Sequence, residues 1–116
     1  MKLEGVNVDW AEEFNASITV CDTKGIIVYM NEYSIAQFKK YGGANLLGSS
    51  LFDCHNEQSG IKLREMLDEQ SENIYTTEHK GEKRMIMQMP WKLKGEFRGL
   101  VEISILIDSD IQNISR

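Results

Sequence analysis

The chain has 116 residues, 41% of them hydrophobic and 27% charged, with a single Pro, which is the size and apolar content of one globular domain. A core this small leaves room for a small internal pocket, which argues against a large multi-substrate enzyme. The net charge of −5 argues against binding to nucleic-acid phosphates or an anionic membrane, so we expect a small molecule or another protein as partner.

The apolar runs and the cysteine content indicate the cellular compartment of the protein. No apolar run approaches the roughly 20 residues that span a bilayer. The N-terminus MKLEGVNVDWAEEF has acidic residues where a signal peptide has an apolar stretch, so we expect a cytoplasmic protein. A lone cysteine pair, Cys21 and Cys54, is expected to stay reduced in that compartment.

The N-terminal segment, residues 1–14, predicts a helix that caps the domain. Trp10 and Phe14 are spaced i, i+4, which favours a short amphipathic helix over Val8 to Phe14. We expect this helix to cover apolar surface elsewhere in the protein. The core is expected to span residues 15–108, and residues 109–116 to form a C-terminal tail.

A β-hairpin and a short helix are expected next. Ser17 to Cys21 and Ile26 to Met30 are rich in β-branched residues and flank Asp22-Thr23-Lys24-Gly25, where the Gly can adopt a positive φ. Asn31 is a good N-cap for a following helix, which Gly42-Gly43 would end. Ile35 and Phe38 would share one face of that helix.

Brief helical turns and one longer helix are expected in the middle of the chain. Residues 44–58 are interpreted as a connecting segment, because its apolar stretches are too short for long helices. Ser59 to Ser71 has a helical period, with Ile61, Leu63, Met66 and Leu67 mostly on one side.

Three strands close the domain as a β-meander: Asn73 to Lys80, Lys83 to Leu93 and Phe97 to Ile107. Alternation in the last two strands predicts two faces that both carry apolar residues. One face would hold Met85, Met87, Met89, Trp91 and Ile103, and the other Arg84, Ile86, Gln88, Glu102 and Ser104.

Such a sheet must be covered on both faces, and the central helices can cover only one. The methionine face is therefore expected to pack under the N-terminal helix and against a second copy of the chain, as a homodimer. The predicted interface residues are Trp10, Phe14, Met85, Met87, Met89, Trp91 and Ile103.

The order of these elements resembles the PAS domain, an α+β sensor fold with a five-stranded antiparallel sheet and short helices on one face. ITVCDTKGIIVYMNEYSIAQFKKYGG is similar to the family's opening hairpin and first helix, LLGSSLFDCH to its helical link, and GLVEISILID to its last strand. The resemblance covers Asn15 to Asp108, nearly the whole chain. The DCHxxxS segment, Asp53 to Ser59, resembles a subgroup of bacterial and archaeal PAS domains in sensory proteins.

The resemblance implies a ligand pocket between sheet and helices, without naming the ligand. Glu102 interrupts the apolar run LVEISILI, and an enclosed carboxylate must be paired or hydrogen-bonded, so an inward Glu102 would mark a polar pocket floor. The alternative is that this face of the sheet is exposed to solvent near Glu102. A glutamine occupies the similar position in light-oxygen-voltage members, which favours the inward reading. The predicted ligand-contacting residues are His55, Glu102, Gln88, Ser104, Ile86, Leu51 and Phe38.

The resemblance also suggests two cofactors to consider, haem and flavin. His55 could hydrogen-bond within the fold, contact a small ligand or ligate a haem iron, although haem PAS domains usually take their histidine from within the longer helix. A flavin photocycle is not expected. Aligned on Leu47-Gly48, Leu51 occupies the position of the adduct cysteine of light-oxygen-voltage domains, and Cys54 comes three residues later.

Catalytic and metal motifs are missing from the sequence. Adjacent Cys54 and His55 side chains diverge, and His79, expected at the surface, offers no partner. No zinc spacing or phosphate-binding glycine loop is present. We therefore expect a non-enzymatic sensory or interaction module that binds a small polar ligand and acts through a dimer or a downstream signalling protein. The alternative is a haem-based redox or gas sensor using His55.

Overall fold

The computed structural model describes Glu4, residues 9–54 and residues 56–116, with the backbone alone at Cys54. Five antiparallel strands form one sheet in the order β2-β1-β5-β4-β3. They are β1 Ser17–Cys21, β2 Ile27–Met30, β3 Asn73–His79, β4 Glu82–Leu93 and β5 Glu96–Leu106. The predicted α+β fold and all five strands are confirmed, with ends shifted by no more than a residue.

The helices lie between β2 and β3 in the chain. They are α1 Glu32–Gln37, α2 Leu51–Cys54 and α3 Glu57–Glu69, with 3₁₀ turns at Lys39–Tyr41 and Gly43–Leu46. Within the described part of the chain, no helix has the length and apolar character needed to cross a membrane.

The β1–β2 hairpin closes as the sequence predicts, and Asp22 is the reason. Its carboxylate oxygen Oδ1 accepts hydrogen bonds from the backbone N–H groups of Lys24, at 2.9 Å, and Ile26, at 3.0 Å. Gly25 completes the turn at a φ of 81°, a conformation that costs glycine little. The hairpin therefore places β2 at the edge of the sheet, next to the start of α1.

Asn31 joins the hairpin, α1 and the N-terminal segment. Its side-chain oxygen accepts from the backbone N–H of Ser34, as an N-cap, and from that of Ile18 in β1, at 2.9 and 3.0 Å. Its side-chain nitrogen donates to the carbonyl oxygens of Ala11 and Ala16, each at 2.9 Å. Asn31 is 0% exposed, so these bonds fix α1 against the sheet.

α3 begins two residues before the predicted start, because Asn56 acts as its N-cap and accepts from the backbone N–H of Ser59 at 2.9 Å. Leu63, Met66 and Leu67 are buried as expected. Ile61 is 62% exposed, so its placement on the buried side was wrong. Successive helical residues turn by about 100°, which puts Ile61 and Leu63 on opposite sides.

The N-terminal helix is not formed over the described residues of its range. Residues 9–14 make a turn, in which the N–H of Phe14 donates to the carbonyl of Ala11 at 3.3 Å; Val8 lies outside the described residues. The Ala11 and Glu12 carbonyls instead accept from Asn31 and from the Glu32 N–H. These hydrogen bonds attach the turn to the start of α1.

The position of this turn also corrects the expected cover of the methionine face. The Tyr29 hydroxyl donates to the Glu12 carboxylate at 2.8 Å, which holds the turn beside β2. In the sheet, β1 and β5 separate β2 from the methionine strand β4. Trp10 and Phe14 pack edge to face on each other, with centroids 5.5 Å apart, and both remain largely exposed.

The two faces of the sheet follow the predicted alternation. On the helix-covered face, Gln88 pairs with Glu102 and Ile86 with Ser104 across β4 and β5. On the opposite face Met87 pairs with Ile103, and the strand becomes irregular only between Trp91 and Lys92. The core cluster lies on the covered face and comprises Cys21, Leu63, Met66, Leu67 and Leu100.

Gly99 allows the closest approach between β5 and the hairpin. It adopts a φ of 142°, and a Cβ at this position would collide with the Cys21 carbonyl oxygen and lie 2.9 Å from Asp22 backbone atoms. Trp91 faces Gly99 across the ladder, and its indole N–H donates to the same Cys21 carbonyl at 3.5 Å. Only glycine fits this position without displacing the hairpin.

Candidate functional site

A cavity of about 500 Å³ lies between the covered face of the sheet and the helices. β1 and β5 provide its floor, and α2, α3 and the 3₁₀ turns help to enclose it. Its walls are mostly apolar, which suits the body of an organic molecule. They are formed by Thr19, Cys21, Ile27, Met30, Phe38, Tyr41, Leu46, Leu51, Leu63, Met66, Gln88, Leu100 and Glu102.

A second, more polar cleft of about 620 Å³ adjoins this cavity, on the side of β3 and β4. Phe38, Met66, Gln88 and Glu102 line both spaces and form the wall between them. The cleft is completed by Gln37, Gln58, Ser59, Lys62, Asn73, Tyr75, Thr77, Arg84, Ile86 and Ser104. The polar part of this wall is an amide–carboxylate pair, Gln88 and Glu102.

That pair is built by the register of three strands. The Gln88 side-chain nitrogen donates to Oε2 of Glu102 at 2.8 Å, and the Asn73 amide nitrogen donates to Oε1 of Gln88 at 3.2 Å. Asn73 and Gln88 are cross-strand partners, as are Gln88 and Glu102. Because the Gln88 oxygen is occupied by Asn73, its N–H₂ group is directed at the carboxylate.

Glu102 influences the ionisable groups around it. Burial raises the pKa of the Tyr75 hydroxyl, and the negative charge of Glu102 raises it further. Burial likewise raises the pKa of the Cys21 thiol, with smaller contributions from the charges of Asp22 and Glu102. Both side chains therefore stay neutral at physiological pH.

Arg84 of β4 lies in the cleft, on the face that the strand alternation predicts for it, although no role was predicted for it. Its Nε donates to Oγ of Ser104 at 2.7 Å and its Nη2 to the Ser104 carbonyl at 3.2 Å. Nη1 lies 3.5 Å from the Glu82 carboxylate. The two-residue alternation of β4 predicts this position, because it puts Arg84 on the same face as Ile86 and Gln88.

Gln37, the last residue of α1, also lines the cleft and was missed by the sequence analysis. Its side-chain oxygen is buried and accepts no hydrogen bond from any described residue. A residue at the end of a short helix carries no sequence signal for such a position. Only the packing of α1 over the sheet places it there.

The structure gathers every predicted ligand-contacting residue that it describes. Phe38, Gln88 and Glu102 lie in the wall between the two spaces, Leu51 lines the cavity, and Ile86 and Ser104 line the cleft. His55 lies outside the described residues. Contact of these side chains with a ligand remains a prediction.

The predicted interface residues fall into two groups. Met85, Met87, Met89, Trp91 and Ile103 belong to β4 and β5, and of these Met89 is 37% exposed. Trp10 and Phe14 lie with the turn beside β2 instead. Their role in dimerisation remains a prediction.

Candidate metal ligands are dispersed in the described part of the chain. Its residues contain no group of three or more His, Cys, Asp or Glu side chains placed to hold a metal ion. The described histidine, His79, is exposed at the end of β3.

No family model matches the sequence, and no curated protein matches it either. Among solved structures, the Aer2 receptor of Vibrio cholerae, a dual PAS–haem oxygen sensor, is 14% identical with a TM-score of 0.62, covering 80% of this chain and 95% of that one. The PAS domain of the histidine kinase ThkA is 16% identical with a TM-score of 0.63, covering 77% and 96%.

VqmA of Vibrio cholerae, solved bound to DPO, is 12% identical with a TM-score of 0.67, and the match covers 84% of this chain and 54% of VqmA. At such identities the likeness establishes the fold. The chain has the PAS fold, as its motifs predicted.

Proposed function

We propose that this protein is a sensory module that binds a small molecule in the cavity between the sheet and the helices. The observation that carries the proposal is a mostly apolar cavity of about 500 Å³ with the Gln88–Glu102 pair in its wall. Protein interiors pack densely, and a cavity within the roughly 300–1,000 Å³ range of ligand sites, with a few convergent polar groups, is typical of a binding site.

Structures with the same fold support a role in sensing. They come from an oxygen sensor, a histidine kinase and a protein solved with DPO bound. The fold by itself does not define a ligand, and it is the cavity of this chain that supports ligand binding here. We propose that the protein acts by binding rather than by catalysis.

The signal would pass through the sheet to a second copy of the chain or to a downstream signalling protein. Glu102 and Gln88 face the cavity, whereas their chain neighbours Ile103 and Met87 face the opposite side. A ligand that favours one position of β4 and β5 also favours one arrangement of this outer face. The ligand can shift the outer contacts only by its difference in affinity for the two arrangements.

A cavity-filling variant tests ligand binding. Leu51→Trp places a large ring at the cavity wall, whereas Ile61→Trp places the same ring on the exposed side of α3. We expect native mass spectrometry to detect a bound small molecule, or a small-molecule library to raise the melting temperature, in the wild type and Ile61→Trp but not in Leu51→Trp. Absence of any ligand from the wild type in both experiments would contradict the proposal.

Homodimer formation through the outer face has its own test. Met89→Glu puts a charge at an exposed position in the middle of the methionine face, and Leu93→Glu puts one at the exposed end of the same strand. Light scattering over a range of concentrations should show dimers that Met89→Glu dissociates and Leu93→Glu retains. A wild-type monomer at all concentrations would contradict dimerisation.

A haem-based sensor using His55 is the second candidate, favoured by the fold shared with the Aer2 receptor. Leu51 of α2 lines the cavity, and His55 follows α2 directly in the sequence. The described part of the wall contains no histidine, and its thiol, Cys21, has a pKa raised by burial, so it is a poor thiolate ligand. Among the described residues the fit to an iron is therefore weak, and His55 would have to supply the ligand.

Addition of haemin distinguishes this candidate. A Soret band that His55→Ala abolishes and His79→Ala preserves would support axial ligation by His55. A protein that takes up no haemin would eliminate it.

A further inference from the structure

Glu102 has hydrogen-bonding capacity that the fold does not use. Among the described residues its carboxylate accepts one hydrogen bond, from Gln88. The two cationic side chains of the adjoining cleft are already engaged: Arg84 with Ser104 and Glu82, and Lys62 with Glu65 at 3.6 Å. The carboxylate is therefore a charged acceptor beside an apolar cavity, and no cationic side chain of the described residues is paired to it.

A second acceptor belongs to Gln37, a residue that lines the same cleft. The side-chain oxygen of Gln37 is buried and accepts no hydrogen bond from a described residue. A buried acceptor without a donor is unfavourable, so a molecule whose N–H group reaches this oxygen, with a small shift of the side chain, is bound more tightly. This observation is independent of Glu102. Both Gln37 and Glu102 would accept hydrogen bonds from donor groups on a ligand.

The wall between the cavity and the cleft suits a positive charge for a further reason. Phe38 and Met66 line both spaces beside Glu102. An aromatic face attracts an organic cation, and a thioether adapts to irregular apolar groups. A molecule with an apolar body and a cationic end would fit the apolar cavity and the acceptors together.

We propose that the ligand is an organic cation, an apolar molecule that ends in a protonated amine, whose N–H groups donate to Glu102 and Gln37. This inference rests on the proposed function, because it assigns a chemical class to the ligand of the same cavity. The apolar body lies in the cavity lined by Leu51 and Leu100. Arg84 and Lys62 remain with their own partners and do not compete with the amine for Glu102.

Three probes of matched shape test the charge preference: 2-phenylethylamine, the neutral 2-phenylethanol and the anionic 3-phenylpropionate. Binding is measured by NMR titration of the full chain at pH 7. We expect the amine to bind about tenfold more tightly than the alcohol, and the acid to bind most weakly. Glu102→Gln should remove the preference of amine over alcohol, and Glu96→Gln, at the exposed start of the same strand, should preserve it.

Gln37→Leu provides a second variant that separates binding from folding. Removing an unpaired buried acceptor should leave the free protein as stable as the wild type or more so, while weakening amine binding. Unchanged amine affinity in Gln37→Leu would overturn the role of Gln37. Equal affinity for all three probes, or a preference for the acid, would overturn the cation assignment while the proposed function stands.

Failure of the proposed function looks different. If none of the probes binds, and the wild type carries no ligand in native mass spectrometry, both proposals are wrong. If the probes bind and Leu51→Trp excludes them, the cavity is the binding site, and the order of the three affinities decides the cation assignment.

Discussion

Asn31 and Glu102 are two polar side chains that differ in burial and in the number of hydrogen bonds they make within the fold. Asn31 is fully buried and uses its whole amide, accepting from Ile18 and Ser34 and donating to Ala11 and Ala16. Glu102 is partly buried and accepts a single hydrogen bond among the described residues.

This difference in hydrogen bonding distinguishes a polar side chain that stabilises the fold from one that is available to bind a ligand. A buried side chain whose donors and acceptors are all engaged holds neighbouring segments in place, and any change leaves several groups without partners. A side chain with spare acceptors is available to a molecule that enters the adjoining space. We call the β1–β2 hairpin and the segments that Asn31 joins to it the closed side, because their polar groups are engaged, and Glu102 with the adjoining cleft the open side.

The severest test of the closed side is Gly99→Ala. The new Cβ would meet the Cys21 carbonyl, and φ at this position is 142°, so both the contact and the backbone conformation oppose the change. We expect the free energy of unfolding to fall by more than about 3 kcal/mol, measured by urea denaturation.

Gly81→Ala is the matched control, because it also has positive φ but nothing lies within 4 Å of its added Cβ. It should cost about 1 kcal/mol. Equal losses in the two variants would show that the approach of β5 to the hairpin is not tight.

Asn31→Ala tests the saturated amide itself. It leaves the Ile18 and Ser34 N–H groups and two carbonyls without their partner, so we expect a loss of about 2–3 kcal/mol in the free energy of unfolding. Asn56→Ala removes a similar cap from α3 at an exposed position and should cost about 1 kcal/mol. A loss no larger than that of Asn56→Ala would contradict the structural role given to Asn31.

Glu102→Gln tests the open side and should affect binding more than folding. The amide can still accept from Gln88, so we expect the free energy of unfolding to change by less than about 1 kcal/mol. The affinity for a cationic probe should fall about tenfold, equivalent to about 1.4 kcal/mol. A loss of stability as large as that of Asn31→Ala would place Glu102 among the structural groups.

The smallest effect is expected at high pH, where Tyr29 holds the N-terminal turn on the closed side. Burial and the hydrogen bond to Glu12 raise the pKa of Tyr29 from 10.0 to about 12. The unfolded chain therefore loses this proton first, and the stabilisation is complete below pH 10 and lost as the pH rises toward 12.

Ultraviolet absorbance of the tyrosinate measures that titration. Tyr29→Phe should remove a component that titrates near pH 12 and lessen the fall in stability between pH 10 and 12. Loss of a component that titrates near pH 10 instead would show that the hydrogen bond to Glu12 does not raise the pKa of Tyr29.

The elements of the fold could be predicted because their signals are local. Asp22 and Gly25 define a turn, Asn31 caps a helix, and the two-residue period of β4 assigns Gln88 and Glu102 to one face. That period sufficed to bring Gln88, Glu102 and Ser104 into one candidate site. The three C-terminal strands could be predicted without knowing how the helices pack on the sheet.

The errors arose where distant segments decide the outcome. Trp10 and Phe14 have a helical spacing, but residues 9–14 form a turn that Asn31 and Glu32 attach to the start of α1. Gln37 entered the candidate site only through the packing of α1 over the sheet, whereas the alternation of β4 had already placed Arg84 on the covered face. No local pattern reports which partner a backbone carbonyl or a buried amide finds.

The amino-acid sequence by itself determined the order of strands and helices, the hairpin turn and the face on which each strand residue lies, because these depend on backbone preferences and short periodicities. Only the tertiary structure decided which polar groups are saturated and which remain open at the cavity, as at Asn31 and Glu102. Hydrogen-bond satisfaction is settled by segments far apart in the chain, so it exists only once the helices have closed over the sheet.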